Sequence, residues 1–235
     1  MEITPDQVVL WEWGVLRLNA TIAWTWAVMA LLALGSWAVT RSFRTSDALT
    51  PGRNLLEAIV ATITDQIRQA SGQDPQPFLP FVGTLFLFIV VSNVLSIVPG
   101  YRPPTGSLST TAALAICVFV AVPVFGIGRQ GLGRYLRQYV QPSIVMLPFN
   151  VIGELSRTLA LAVRLFGNVM SGTIIAGLLL GVAPLIFPVV MQAFGLVIGV
   201  IQAYIFAILA LIYIASATRA HDDAVTSDAG REQHG

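Results

Sequence analysis

Long apolar runs separated by short polar stretches dominate the hydrophobic pattern of this chain. A run of about 20 apolar residues is long enough to cross a bilayer as one helix. The pattern predicts five spans, at residues 21–40, 78–98, 110–127, 147–182 and 188–218. The fourth, if helical throughout, extends about 54 Å against roughly 30 Å of hydrocarbon, and the fifth about 46 Å. We therefore expect these two to be strongly tilted as a hairpin, or to end outside the apolar layer.

Residues 54–69 show a different pattern, in which apolar positions recur every three or four residues with charged residues between them. This pattern is typical of an amphipathic helix on the membrane surface. A soluble helix packed on its neighbours fits it equally well. The overall prediction is an all-α membrane protein with five transmembrane helices and one interfacial helix.

The composition excludes several classes of protein. Hydrophobic residues make up 55% of the 235 residues and charged residues 11%, which excludes a water-soluble globule. The net charge of +1 does not indicate a nucleic-acid partner. Cys117 is the single cysteine, and both histidines, His221 and His234, lie in the polar C-terminal tail. We therefore expect no disulfide, no metal site and no cofactor.

The distribution of arginines predicts the orientation in the membrane, because loops rich in arginine stay in the cytoplasm. Five spans place the two termini on opposite sides. One side carries Arg41, Arg44, Arg53, Arg68, Arg129, Arg134, Arg137, Arg219 and Arg231, and the other carries Arg17 and Arg102. Residues 1–20 are therefore predicted to form an extracytoplasmic segment, residues 21–218 the membrane domain, and residues 219–235 a cytoplasmic tail.

Three charged residues remain inside the fourth span, namely Glu154, Arg157 and Arg164. An arginine at the centre of a membrane helix costs about 2.5 to 3.5 kcal/mol on insertion scales, so it is a functional candidate by default. Arg157 lies three residues after Glu154, and we expect the two to form a structural ion pair. Arg164 has no acid of its own, and its depth makes it too distant from the membrane surface for snorkelling.

Two amides and a set of small residues accompany Arg164. Asn168 lies one turn further along the same helix, and Gln202 is the conspicuous buried amide of the last helix. The small residues allow another helix to approach closely, either within the hairpin or from a partner. They are Ser156, Ala160, Gly167, Ser171, Gly172, Gly177 and Gly181. The partner that satisfies an unpaired intramembrane cation is a carboxylate on another subunit.

Four segments carry a resemblance to a known family. They are SRTLALAVRLFGNVMSG at residues 156–172, IQAYIFAILALIYI at 201–214, PFVGTLFLFIVVSNVLSIVPG at 80–100 and PTGSLSTTAALA at 104–115. On these segments the chain resembles subunit a of F-type ATP synthases, over roughly residues 50–218. The segment ELSRTLALAVRLFGN at residues 154–168 and the short length of the chain resemble most closely the N-type branch of that family, which includes sodium pumps.

The resemblance implies a non-catalytic, ion-translocating subunit rather than an enzyme. Such a subunit is a stator that presents two ion half-channels to a rotating ring of c subunits, and so couples proton or sodium transport to ATP synthesis or hydrolysis. The implied partners are the c ring, whose carboxylate faces Arg164, the peripheral stalk of b subunits and the remainder of the F1Fo complex. The implied location is the inner membrane of a bacterial cell.

The same resemblance implies roles for individual residues. Arg164 is the essential arginine, Gln202 its neighbour from the last helix, and Asn168 a half-channel residue. A guanidinium lowers the pKa of a nearby carboxylate but does not itself lose a proton, so Arg164 acts as a gate and not as a proton relay.

This chain departs from the family pattern at several positions. The family commonly places a Glu and a His nine residues after the arginine and seven before the glutamine, where this chain has Thr173 and Gly195. The usual family acid corresponds to Asn150, not to Glu154. Two serines also stand where acids or amides are common. The residues expected to line or support the half-channels are Thr173, Glu154, Arg157, Ser107 and Ser109.

Three other functions compete with the stator as an explanation of this sequence. A secondary transporter or ion channel acting alone predicts paired charges or a symmetric substrate site, which Arg164 does not offer. An intramembrane hydrolase needs a serine with a membrane-embedded histidine, or paired acids, and Glu154 is the single acid between Asp74 and Asp222. A purely structural scaffold does not require a charged residue such as Arg164 inside a membrane span.

Overall fold

Six helices make up most of the described chain. The computed structural model describes residues 9–13, 16–42, 51–98, 100–133, 135, 146–181 and 187–232. The helices are α1 (Ala20–Ser42), α2 (Pro51–Ser71), α3 (Leu79–Val94), α4 (Leu108–Gln130), α5 (Met146–Leu180) and α6 (Phe187–Glu232). All except α2 are long and apolar enough to cross a membrane. The predicted all-α membrane fold with five spans is therefore confirmed.

The structure adds a short β-hairpin before α1, which the hydrophobic pattern did not predict. Strand β1 (Val9–Trp13) pairs antiparallel with strand β2 (Leu16–Asn19), and Val9 lies opposite Asn19. The segment is rich in Val and Trp, which favour strands, and a hairpin satisfies backbone groups locally. The two strands lie within the segment 1–20 and leave the membrane domain helical.

The last helix does not end where the apolar run ends. The predicted boundary at Thr218 follows the change from apolar to polar residues, but α6 continues to Glu232 over 46 residues in total. The residues beyond the boundary include Ala, Arg and Glu, which are good helix formers. The change in composition marks the end of the apolar stretch, while the helical backbone continues.

α6 lies at the centre of the bundle and contacts α2, α3, α4 and α5. Alanines on its buried faces, including Ala203 and Ala210, allow the neighbouring helices to approach closely. One core cluster brings together α3, α4, α5 and α6, and its buried members include Leu85, Phe88, Ile89, Val118, Leu161, Leu165 and Phe206. This cluster fixes which faces of α5 and α6 point inward.

The amphipathic helix α2 packs on the bundle through one face. Ile67 is buried in a second core cluster with Phe78 and Leu211, whereas Asp65 and Arg68 are exposed. Apolar burial on one side and charge on the other agree with the predicted amphipathic pattern.

A polar contact ties the connection after α2 to the end of α4 and to Thr218 of α6. The side-chain oxygen Oε1 of Gln73 accepts hydrogen bonds from Thr218 Oγ1 at 3.0 Å and from Arg129 Nη1 at 3.4 Å. The Arg129 guanidinium also lies over the ring of Phe78, 5.4 Å from its centroid. These contacts hold three chain segments together at the same end of the bundle.

Candidate functional site

Arg164 lies near the middle of α5, about 27 Å from the Met146 end at 1.5 Å per residue. Its neighbours Leu161 and Leu165 are fully buried in the core and fix the rotation of the helix. Arg164 itself lies at the edge of this buried face and is exposed. Among the described residues it has neither an ion-pair partner nor a hydrogen-bond partner. A guanidinium therefore faces outward from the bundle, midway along a membrane-spanning helix.

A stripe of small residues runs along α5 beside Arg164. Ser156, Ala160, Gly167 and Ser171 follow one another at spacings of four, seven and four residues, and all four are exposed. A Cβ added at Gly167 would meet no atom within 4 Å. Gly172 and Gly181 are also exposed, while Gly177 is half-buried. Most of these small residues are therefore exposed and not buried within the hairpin. They form an outward surface without large side chains next to the Arg164 guanidinium.

The predicted ion pair between Glu154 and Arg157 is not what the structure shows. Within the described part of the chain, the Arg157 guanidinium lies over the ring of Tyr213, 5.6 Å from its centroid. A cation over an aromatic face gains electrostatic attraction without a carboxylate. Arg157 therefore has a contact of its own on α6, and a three-residue spacing alone did not determine its partner.

A cavity of about 480 Å³ lies where α4, α5 and α6 meet, on the Met146 side of Arg164. Its polar lining includes Asn150, Glu154, Arg157 and Ser216. The structure thus brings Glu154 and Arg157 to one polar cavity, seven to ten residues before Arg164. It also places Asn150 and Glu154 in the same cavity, because residues four apart on a helix lie on the same face.

The predicted amides differ in their surroundings. Gln202 is 7% exposed, and its Nε2 donor has no acceptor among the described residues. Asn168 is half-buried on α5. Thr173 is exposed, and its Oγ1 donates to the backbone oxygen of Val169 at 2.9 Å. Because a buried polar group without a partner is costly, the Gln202 amide is a polar position inside an otherwise apolar part of the bundle, and its donor is open to a ligand such as water.

The start of α4 brings the two predicted serines close to α5. Ser107 is buried, and its hydroxyl shares a 2.6 Å hydrogen bond with that of Ser109. Just before them, Gly106 packs so closely on α5 that an added Cβ would lie 3.3 Å from Val169 Cγ1. Val169 follows Asn168 in sequence, so this polar turn lies beside the part of α5 that carries Asn168.

A comparison with protein families identifies the family of this chain. The family model described as ATP synthase A chain matches residues 22–215. The chain belongs to this family. A protein named ATP synthase subunit a 2 from Acaryochloris marina is 58% identical over 219 residues, covering 93% of this chain and 94% of that protein. The ATP synthase subunit a of Albidiferax ferrireducens is 57% identical, with 93% and 95% covered.

Family membership confirms the resemblance drawn from the four sequence segments. A third relative, named ATP synthase subunit a 1 from Chlorobaculum parvum, is 54% identical over 222 residues, covering 94% of this chain and 98% of that protein. These names do not distinguish branches of the family, so membership of the N-type branch stays a prediction. The roles of individual residues also stay predictions.

Sequence reasoning missed one buried polar cluster near this site. Asn93 of α3 is 5% exposed and hydrogen-bonds both to Gly199 of α6 and to Thr105. An amide inside an otherwise apolar span is the signal that could have found it, since such groups are costly in a membrane. What no pattern could supply is the identity of its partners, which lie 12 and 106 residues away in sequence.

Proposed function

We propose that this chain is subunit a of the membrane Fo sector of an ATP synthase. It is a non-catalytic stator that couples the passage of protons or sodium ions to rotation of a c ring. The observation that carries the proposal is the exposed guanidinium of Arg164, in the middle of a membrane-spanning helix and without a partner among the residues that the structure describes. Such a charge is too costly to keep in lipid unless a partner subunit supplies a carboxylate.

In this proposal Arg164 acts on each ring carboxylate that rotates past it. The fixed positive charge favours the ionised carboxylate and releases its proton or sodium ion, because opposite charges stabilise each other at low dielectric. The guanidinium stays protonated, so it passes no proton and separates the two half-channels. The stripe of small residues beside Arg164 provides the surface on which the ring moves.

The two half-channels are assigned to the polar groups on either side of Arg164. The cavity lined by Asn150, Glu154 and Ser216 supports an inner access route on the side of the arginine-rich loops. The outer route is assigned to the residues around Asn168 and Gln202, with Thr173, Ser107 and Ser109 as supporting groups. The remaining partners are the b-subunit stalk and the F1 sector, which synthesises or hydrolyses ATP.

A secondary transporter or channel acting alone is the second candidate, and the structure argues against it. Such a protein needs its charged site inside its own bundle, lining a path through it. Arg164 instead faces outward, and the inward neighbours Leu161 and Leu165 are fully buried and apolar. Removing the single charge of Arg164, with ion-driven ATP synthesis by the whole complex as the readout, tests the stator directly.

Orientation provides an independent test. Cysteines introduced at Glu2 and Gly235 in a Cys117→Ala background are expected to react with a membrane-impermeant thiol reagent from opposite faces, with Gly235 cytoplasmic. The reason is the excess of arginine in the loops after the first and third spans and in the tail. Labelling of intact bacterial cells and of inverted vesicles measures it. Reaction of both cysteines from the same face would rule out the five-span topology and the proposed bacterial inner-membrane orientation.

The ion preference is expected to belong to the ring and not to this chain. Thr173 and Gly195 place no titratable group on α5 or α6 where the family usually has a pair, so the outer route depends on neutral oxygens and water. Neutral oxygens and water can conduct either protons or sodium ions. Thr173→Ser and Gln202→Asn should therefore change turnover without changing the preference between sodium and protons. ATPase activity of the purified complex, titrated with sodium at several pH values, measures this, and a switch of ion in either variant would assign selectivity to this subunit.

A further inference from the structure

Helices α3 and α6 are joined by two reciprocal hydrogen bonds between side chain and backbone. The Nδ2 of Asn93 on α3 donates to the backbone oxygen of Gly199 on α6 at 3.0 Å. In the opposite direction, the Nε2 of Gln192 on α6 donates to the backbone oxygen of Ser96, two residues beyond the end of α3, at 2.7 Å. Gln192 and Gly199 are two helical turns apart, so the two bonds fix both the axial position and the rotation of α6 against α3.

The inner of these two contacts is closely fitted. Asn93 is 5% exposed, and its Oδ1 accepts a hydrogen bond from Oγ1 of the fully buried Thr105 at 3.0 Å. Both ends of the amide are therefore satisfied by protein. A Cβ added at Gly199 would lie 3.0 Å from three atoms of the Asn93 side chain, so any larger residue here would require Asn93 to move by a few tenths of an ångström. We refer to Asn93, Thr105 and Gly199 together as the amide clamp.

The amide clamp lies one helical turn from the buried amide of α6. Gln202 follows Gly199 by three residues, a rise of about 4.5 Å along the helix. Its side chain is 7% exposed, and its Nε2 has no acceptor among the described residues. A helix is stiff over one turn, so whatever fixes Gly199 also fixes where the Gln202 amide lies.

Packing alone does not account for the amide clamp. Apolar side chains hold two membrane helices together equally well, but they tolerate small shifts along the helix axis. An amide whose nitrogen donates to a backbone oxygen and whose oxygen accepts from a hydroxyl makes both bonds in a single register, and buried polar contacts of this kind specify one arrangement. The cost of burying Asn93 is therefore explained by precision in the placement of α6.

We propose that Asn93 is a positioning residue, which holds Gln202 in the ion path through the amide clamp. The inference rests on the proposed function, in which Gln202 acts beside Arg164. It predicts that the contribution of Gln202 depends on Asn93, because an amide displaced along α6 no longer serves the path. Two residues that contribute separately would instead show multiplicative losses.

The test is a double-mutant cycle with Asn93→Ala, Gln202→Ala and both together. Passive ion flux through the Fo sector is measured in vesicles stripped of F1 and normalised to the ratio of this chain to the c subunit in the membrane. Each single change is expected to lower flux about 5- to 30-fold. The flux of the double variant is expected to lie within about threefold of the single variant that has the lower flux. A double loss equal to the product of the single losses would overturn the amide clamp as a positioning device.

Two further variants keep the result interpretable. Thr105→Val removes one bond to Asn93 with little change of volume and is expected to give a smaller loss that is again non-additive with Gln202→Ala. Thr84→Val on α3 is the matched control, because within the described part of the chain its hydroxyl bonds to the backbone oxygen of Pro80 on the same helix at 2.6 Å and to no other helix. Unchanged flux in Gln202→Ala alone would contradict the proposed function of Gln202, whereas reduced flux with multiplicative losses would contradict only the amide clamp.

Discussion

Replacing Arg164 with alanine is expected to abolish ion-driven ATP synthesis while this chain remains assembled in the complex. The guanidinium is exposed on α5 and contributes no contact to the described fold, so its removal leaves the core around Leu161 and Leu165 intact. The ring carboxylate loses the fixed cation that ionises it and blocks leakage between the half-channels. We expect a loss of at least about 100-fold, equivalent to about 2.7 kcal/mol. ATP synthesis by reconstituted proteoliposomes under an imposed ion gradient measures it.

Arg164→Lys should fail as well, because an ammonium lacks the planar fork of the guanidinium and can lose its proton when desolvated. Arg157→Ala is the matched control on the same helix. Its guanidinium lies over Tyr213 beside a polar cavity, so we expect a smaller loss, or one explained by reduced assembly. Normal synthesis in an assembled Arg164→Ala complex would overturn the proposed function.

Gly167→Leu is expected to hinder contact between this chain and the c ring without destabilising the fold of this chain. Gly167 is exposed on the stripe of small residues, and an added Cβ meets no atom within 4 Å. Leucine is also the better helix former, so α5 itself is not weakened. The side chain instead projects into the space that a partner must occupy, and overpacking of an interface typically costs about 1 to 3 kcal/mol. We expect ion-driven ATP synthesis to fall by about tenfold or more.

Gly35→Leu on α1 provides the matched control, because Gly35 is also exposed and has no atom within 4 Å of an added Cβ. It lies on a different helix, far from Arg164 in sequence, and should leave ATP synthesis unchanged. Equal effects of the two substitutions would show that bulk in the membrane helices, and not the surface beside Arg164, limits activity. Quantifying this chain and the c subunit in purified complexes separates loss of binding from loss of rotation.

Much of the membrane architecture follows from the order of residues alone. Runs of apolar side chains must be covered by hydrocarbon or by one another, and only helices satisfy their own backbone groups there. The spans and the amphipathic α2 were predictable for this reason. The end of α6 was not, because a polar sequence ends an apolar stretch without ending a helix. The β-hairpin before α1 was missed because its two strands are four and five residues long.

For the site, the sequence by itself determined that Arg164 is an uncompensated charge in a membrane helix and that small residues accompany it. Charge count and helical spacing suffice for that conclusion, since both are local properties of the chain. The tertiary structure alone decided that Arg164 faces outward, that Arg157 contacts Tyr213 rather than Glu154, and that Asn93 joins Gly199 across 106 residues. Those facts depend on the rotation and the axial position of α3, α5 and α6 relative to one another. That arrangement is set by the close packing of buried side chains such as Leu165 and Phe206, and no single segment encodes it.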